Sequence, residues 1–216
     1  MSLALWLAWA PVAGCGTAKS TCVEFAKAVG FEPLEAVGDE VAWPAPPPDL
    51  ATRALNVFSY PTLSHAVAHG RGIVRAPLAK VYAAMKLPRT SRIHSPGDLW
   101  TPTLDVEPEF PVSFQIHYVV HNVVTVEWDL LYRAGPLEGT SDAPLVAGLR
   151  YQKTCGSEHI AEQSGSLVAS PLPGDPTATR LELVGWLNAS GQDYTVVAGT
   201  LEDMYGNLVA SLTSMP

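Results

Sequence analysis

The feature that most restricts the fold is a regular alternation of apolar and polar residues in two neighbouring runs. Apolar side chains recur at every second position in residues 112–120 and again in residues 124–132. A period of two places the apolar side chains of each run on one face of a β-strand. His121 and Asn122 lie between the runs, and asparagine tolerates the positive φ of a tight turn. The sequence therefore predicts a β-hairpin with one apolar face.

Other segments extend this sheet and then change period. Strands are predicted at residues 64–75, 145–154, 157–170 and 179–187, with Cys155 and Gly156 as the turn between the second and third, and residues 171–176 as the loop after the third. In residues 192–212 the apolar positions follow in steps of three and four, which places them on one stripe of a helix. That stripe contains Tyr194, Val197, Leu201, Met204, Leu208 and Leu212. It predicts a long helix that packs against the sheet.

The N-terminal part has a different pattern. Helical spacing predicts a helix in residues 21–37, and Asp49 is placed to cap another helix at residues 51–57. The proline-rich residues 43–48 cannot sustain a helix or a central strand, so we interpret them as a linker. The predicted domains are accordingly a helical extension with a linker in residues 16–62 and a folded domain in residues 63–216.

The order of the elements resembles a known superfamily. A short helix is predicted after Ala76 and Pro77, and the proline-rich residues 87–111 are predicted to be mostly loop. The run Gly72-Ile73-Val74-Arg75-Ala76-Pro77, followed by Val81, looks like the first strand of the START-like superfamily leading into its first helix. This superfamily is also called the polyketide cyclase, SRPBCC or Bet v 1-like group.

The resemblance covers about residues 64–212 and implies an α+β fold. A curved antiparallel β-sheet would grip the long C-terminal α-helix, as in the helix-grip fold, and enclose an apolar cavity. The second short helix of the family would fall in residues 87–99, where Pro88 and Pro96 leave little helical pattern. We therefore expect the cavity entrance to differ from that of the family.

The inward faces supply the predicted lining of the cavity. The residues are Phe114, Ile116, Tyr118, Val126, Trp128, Leu130, Leu183, Tyr194, Val197, Leu201 and Met204. The same alternation arises if these side chains fill a solid core. Arg150 is the predicted polar anchor at the mouth, because a guanidinium suits a carboxylate or a phosphate.

Catalytic and metal motifs are weak. The sequence has no G-x-S-x-G, H-E-x-x-H or P-loop pattern, and the candidates for an inward-facing ionisable group are His117, Glu158 and Glu182. The pairs His65/His69 and His117/His121, with His159 or Asp129 as a third ligand, have a spacing that arises easily by chance. We predict neither a metal nor a cofactor. The net charge of −8 also argues against nucleic acid as a partner.

The first residues resemble an export signal. Residues 2–14 are apolar but too short to cross a bilayer, and residues 12–15 resemble a bacterial lipobox, in which the cysteine becomes lipidated after cleavage. This resemblance implies a lipoprotein signal in residues 1–15, lipidation of Cys15 and a membrane-anchored protein on the periplasmic or cell-surface side. No Lys or Arg precedes Lys19, so the alternative is a buried helix of a cytoplasmic protein.

Two further cysteines remain in the chain. An oxidising compartment would allow Cys22 and Cys155 to pair if the fold brings them close together. The alternative is a pair of buried free thiols, which is common for sparse cysteines.

Three functions are compatible with these observations. The leading hypothesis is non-enzymatic binding or transport of a lipid or another hydrophobic small molecule in an internal cavity. The second is a cyclase or lyase of the same fold, which would need an ionisable group inside the cavity. The third is a structural or interaction lipoprotein with a filled core and an exposed apolar patch.

Overall fold

The structure is a computed structural model that describes residues 20–34, 55–93, 99–121, 124–190 and 194–215. Within these residues the chain forms nine strands and two α-helices. They are β1 (Ser20–Cys22), β2 (Leu55–Pro61), β3 (Ala66–Val74), α1 (Leu78–Met85), β4 (Leu99–Leu104), β5 (Val112–His121), β6 (Thr125–Gly139), β7 (Pro144–Ser157), β8 (Ile160–Leu172), β9 (Asp175–Ala189) and α2 (Tyr194–Ser214). Two 3-10 helices, Lys27–Val29 and Pro88–Ser91, complete the set.

All nine strands belong to one antiparallel sheet. The order is β2-β3-β9-β8-β7-β6-β5-β4, and β1 pairs with the last residues of β7. The sheet is not closed into a barrel. Because consecutive side chains point to opposite faces, each strand contributes to an inner face, which packs against α2, and to an outer face.

The long helix α2 crosses the part of the inner face formed by β2, β3 and β9. Tyr205 donates a hydrogen bond to the carbonyl oxygen of Ile73 (2.9 Å), and Asn207 Nδ2 donates one to that of Arg92 (2.7 Å). At the far end Lys80 Nζ, on α1, donates to the carbonyl oxygen of Met215 (3.1 Å). Helix α1 and the Pro88–Ser91 helix therefore hold the C-terminal half of α2 in place.

These observations confirm the predicted fold class, a curved antiparallel sheet that grips a long C-terminal helix. Strands β3, β5, β6 and β9 and helices α1 and α2 lie where the sequence periods place them. Residues 1–19, the proline-rich stretch and Asn122 lie outside the described residues.

The predicted helices of the N-terminal part are wrong for the described residues. Residues 21–34 contain part of β1 and the Lys27–Val29 helix, but no α-helix, and Leu55–Pro61 forms β2. The apolar residues of both segments pack against the sheet, so tertiary contacts override the local helical spacing.

Two predictions about loops also need correction. Residues 99–104, predicted as loop, form β4, where Pro102 is tolerated because β4 is an edge strand. Cys155 and Gly156 do not form a turn, because β7 continues to Ser157 through a bulge opposite Asp129 and Leu130. Strands β8 and β9 likewise extend into the predicted loop at residues 171–176.

The N-terminal residues 20–34 lie against the outer face. Cys22 and Cys155 pair across β1 and β7 and form a disulfide bond. Farther along, the amide of Leu34 donates to Ser166 Oγ of β8 (2.9 Å). This segment therefore spans from β7 to β8 on the outside of the sheet.

Arg133 lies under this segment and is fully buried. Its Nε and one terminal nitrogen bind the two carboxylate oxygens of Glu107 (2.6 and 2.8 Å), and its terminal nitrogens donate to the carbonyl oxygens of Phe25 and Ala26 (2.8 and 2.9 Å). The guanidinium carbon lies 3.9 Å from the ring centre of Phe25 and 4.3 Å from that of Phe110. The carboxylate of Glu107 therefore neutralises the positive charge of Arg133. The guanidinium N–H groups are hydrogen-bonded to this carboxylate and to the two carbonyl oxygens.

Candidate functional site

The inner face of β5, β6 and β7 carries five aromatic side chains, Phe114, Tyr118, Trp128, Tyr132 and Tyr151, which we call the aromatic cluster. Tyr118 stacks on Trp128 with ring centres 5.1 Å apart, and Phe114 stacks on Tyr132 at 4.8 Å. Tyr151 extends the row at 5.3 Å from Tyr132. Cross-strand pairing places these residues side by side, so the cluster forms one continuous wall of the inner face.

The hydroxyl groups of this wall are held by the backbone. Tyr118 and Tyr132 both donate to the carbonyl oxygen of Ser91, each at 3.3 Å, and the amide of Ile93 donates to the Tyr118 hydroxyl at 3.4 Å. Burial raises the pKa of Tyr118 to about 12 and raises those of Tyr132 and Tyr151 as well. At neutral pH these phenols are therefore protonated donors and cannot act as bases.

The structure brings the predicted lining residues together on this face. The buried core contains Phe114, Ile116, Tyr118, Trp128, Leu130, Leu183, Val197, Leu201 and Met204. Val126 packs against it and is partly buried. Tyr194 differs, because it is exposed at the start of α2.

The inner face is tightly closed at its centre and more exposed toward the ends of its strands. Ile116, Leu130 and Leu201 are each 0% exposed, so side chains fill the space around them. Exposure rises toward the end of the sheet that carries the turns β5–β6 and β7–β8 and the start of α2, which we call the hairpin end. The exposed large apolar side chains at this end are Leu63, Leu99, Val124, Tyr194 and Val196. An apolar molecule would meet the protein most readily here.

Three polar side chains lie together on the inner face near the hairpin end, and we call this group the polar corner. It contains Lys153, Gln163 and Trp128, all more than nine-tenths buried. Lys153 pairs across strands with Leu130, two residues from Trp128. Lys153 and Gln163 adjoin the paired residues Gln152 and Ser164, so they are neighbours across β7 and β8. Lys153 Nζ donates to the carbonyl oxygens of Ser157 (3.0 Å) and Ile160 (2.5 Å), where β7 and β8 separate.

The polar corner is incompletely satisfied. Trp128 Nε1 and Gln163 Oε1 are buried and have no hydrogen-bond partner in the part of the chain that the structure describes. Burial lowers the pKa of Lys153, and the charge of Glu158 offsets part of that effect. Among the described residues no carboxylate forms an ion pair with this ammonium group.

The predicted polar anchor lies elsewhere. Arg150, predicted as the polar anchor at the cavity mouth, is on the outer face, where it donates to the carbonyl oxygen of Glu32 (3.2 Å), so the structure does not place it with the lining residues. Successive side chains of a strand point to opposite faces. Because Leu149 and Tyr151 point inward, Arg150 between them points outward.

The three ionisable candidates are not on the inner face either. His117 Nδ1 contacts Asp129 Oδ1 on the outer face (2.8 Å), Glu182 contacts Arg71 there (3.4 Å), and Glu158 lies in the β7–β8 turn. His65 Nε2 contacts Glu162 Oε2 (2.9 Å) and His121 contacts Thr125 (3.2 Å). Within the described part of the chain, no three His, Cys, Asp or Glu side chains form a group that could hold a metal ion.

The predicted lining omitted Tyr132, although the alternation in residues 124–132 already places it on the inner face. Sequence reasoning also missed Tyr151, Lys153 and Gln163 as inner-face residues. A usable pattern existed for two of them, because Leu149, Tyr151 and Lys153 alternate with Arg150 and Gln152. For Gln163 the bulge between Ile160 and Glu162 shifts the register, and no residue type marks it.

The comparisons with known proteins agree with this architecture. No family model matches the sequence, and the search of curated proteins found no match. Among solved structures, the Zhui aromatase/cyclase from Streptomyces sp. R1128 has a TM-score of 0.50 and 13% identity, over 69% of this chain and 94% of that one. The human StarD13 lipid transfer and protein localization domain (TM-score 0.48, 12% identity, 74% and 85% covered) and a conserved protein from Geobacillus kaustophilus (0.48, 11%, 70% and 96%) score lower.

The strand order, the open antiparallel sheet and the C-terminal helix define an α+β helix-grip protein. This is the fold that the START-like resemblance implied. At 13% identity the likeness is one of fold. In the parts of the chain that the structure describes, no helix is long and apolar enough to cross a membrane.

Proposed function

We propose that this protein binds a hydrophobic small molecule or lipid between the aromatic cluster and α2, without converting it chemically. The helix-grip fold supports hydrophobic ligand binding but does not fix which function a chain has. The observation that carries the proposal is the continuous apolar inner face, which is buried at depth and becomes more exposed toward the hairpin end. Sites for apolar ligands have this composition, with a few polar groups that orient the ligand.

The placement of ionisable groups favours binding over catalysis. His117, Glu158 and Glu182 are not on the inner face, and the buried tyrosines are protonated at neutral pH. A cyclase would need a base or an acid with a suitable pKa next to its substrate. Lys153 is the described ionisable side chain that comes closest to this requirement.

The complete burial of Ile116, Leu130 and Leu201 favours a second candidate, an interaction protein with a filled core. The two functions differ in one measurable property. A carrier takes up apolar molecules, whereas a filled core does not. Native mass spectrometry and organic extraction of residues 16–216, purified from a lipid-rich host, therefore come first.

A neutral fluorescent probe, N-phenyl-1-naphthylamine, gives the quantitative test. We expect uptake by the wild type and about ten-fold weaker binding by Val126→Trp, because the larger ring occupies space next to the aromatic cluster, a change of about 1.4 kcal/mol. Val119→Trp is the matched control, since Val119 lies on the outer face of β5, opposite Glu127. A clean apo mass together with no probe uptake by the wild type would rule out the carrier and leave the interaction protein.

We also propose that the protein is exported and anchored through a lipid on Cys15. The disulfide between Cys22 and Cys155 supports an oxidising compartment, where such bonds persist. A Cys15→Ser variant should move from the membrane fraction to the soluble exported fraction and lose the lipid mass. Equal fractionation of both forms would contradict the anchor.

A further inference from the structure

The polar corner has more hydrogen-bonding capacity than the protein uses. An ammonium group has three N–H donors, and Lys153 uses two of them on the carbonyl oxygens of Ser157 and Ile160. The indole N–H of Trp128 has no acceptor among the described residues. Two donors on different strands are therefore available at one place on the inner face.

Gln163 adds a third group to this place. Its Oε1 has no partner, and a 180° rotation of the amide puts its NH2 group at the same position. A buried polar atom without a partner has lost its hydration and gained nothing in return. Such atoms are rare in folded proteins, and two of them next to a lysine with a third N–H donor indicate a binding site.

The charge of the corner indicates which chemistry it binds. Lys153 is 4% exposed and has no ion-pair partner among the described residues, while Glu158 acts on it only at longer range. A buried cation is stabilised by an anion that is also hydrogen-bonded. The donors around it suit the two oxygens of a carboxylate.

We propose that the polar corner binds the carboxylate of an amphipathic ligand whose apolar body lies along the aromatic cluster, an inference that rests on the proposed function. The carboxylate would accept from Lys153 and Trp128, and the acyl chain or comparable apolar body would extend past Trp128 and the partly buried Val126 toward the hairpin end. The ligand class is a fatty acid or another long-chain carboxylic acid. A neutral lipid of the same length would lack the charged contact.

The test compares dodecanoic acid with its methyl ester, each displacing N-phenyl-1-naphthylamine from the full chain. For the wild type we expect the acid to bind at least about ten-fold more tightly than the ester. Gln163→Glu places a carboxylate of nearly equal size beside Lys153, so the preference for the acid should fall at least about ten-fold. Trp128→Phe keeps an aromatic ring, removes the N–H, and should reduce the preference by a smaller factor.

Gln152→Glu is the matched control. It makes the same change of charge one residue from Lys153, but on the outer face. This variant should keep the wild-type preference for the acid over the ester. Thermal unfolding checks that each variant folds. Equal affinity of the wild type for acid and ester, or an unchanged preference in Gln163→Glu, would overturn the carboxylate site and leave the carrier in place. Failure of the wild type to bind the neutral probe would overturn the carrier itself, and this site with it.

Discussion

The two faces of strands β6 and β7 each bury a cation, and they treat it differently. On the outer face Arg133 meets a bidentate carboxylate, two carbonyl oxygens and two aromatic rings. On the inner face Lys153 meets two carbonyl oxygens and, among the residues that the structure describes, no carboxylate. A charge that is fully paired serves the structure, whereas a charge that lacks a counter-ion is available to a ligand.

The largest expected effect tests the outer face. Arg133→Met leaves the carboxylate of Glu107 and the carbonyl oxygens of Phe25 and Ala26 without their donor. We expect the free energy of unfolding to fall by about 3–5 kcal/mol, because a buried charge loses its partner. Urea denaturation measures this change.

The double variant Glu107→Gln/Arg133→Met is the control for that experiment. It removes both charges, so part of the lost stability should return. A loss below about 1 kcal/mol in the single variant would mean that Arg133 is not essential to the outer face, and the contrast with Lys153 would disappear.

The aromatic cluster gives the next largest effect through pH. The pKa of Tyr118 is raised to about 12, so the folded state keeps a proton that the unfolded state releases above about pH 10. The stabilisation is complete below pH 10 and is lost as the pH rises through 12. We expect a loss of roughly 2–3 kcal/mol from this residue, measured by urea denaturation at several pH values.

Tyr118→Phe isolates this contribution. The variant keeps the ring that stacks on Trp128 and removes the ionisable hydroxyl. Its unfolding free energy should fall less between pH 10 and 12 than that of the wild type. Parallel curves for the two proteins would show that the buried phenol does not control the alkaline loss.

The smallest expected effect sharpens the comparison between the faces. Lys153→Met removes a cation that has no carboxylate partner and leaves two carbonyl oxygens at the β7–β8 turn. We expect a loss of roughly 1 kcal/mol, because the removed charge was itself costly to bury. A loss as large as that of Arg133→Met would show that Lys153 is a structural cation.

The sequence predicts the fold correctly where the repeat of apolar residues lies within a single strand pair or helix. The alternation in residues 112–132 predicts both strands of the hairpin, and the stripe from Tyr194 to Leu212 predicts α2, because each pattern reports which side faces the core. It was uninformative where partners are distant. Nothing near Arg133 shows that its acceptors lie at Phe25 and Ala26, more than a hundred residues earlier.

The polar corner falls between these cases. Lys153 shares the every-second-position pattern of Leu149 and Tyr151, which predicts that it points inward. Lysine is seldom buried, however, so the sequence alone gives no reason to place it on an apolar face. The turn predicted at Cys155 lies at Glu158 in the structure, because β7 contains a bulge where it pairs with β6. Such irregularities change which side chains face inward without leaving a mark in composition.

The covalent bond between Cys22 and Cys155 has a consequence for the integrity of the chain. It closes a ring of backbone that includes everything between these residues, a separation of 133 positions. A protease that cuts once anywhere inside this ring produces two fragments that stay attached to each other. Residues 20–34 then remain on the outer face as part of one molecule, and reduction is needed before the fragments can separate.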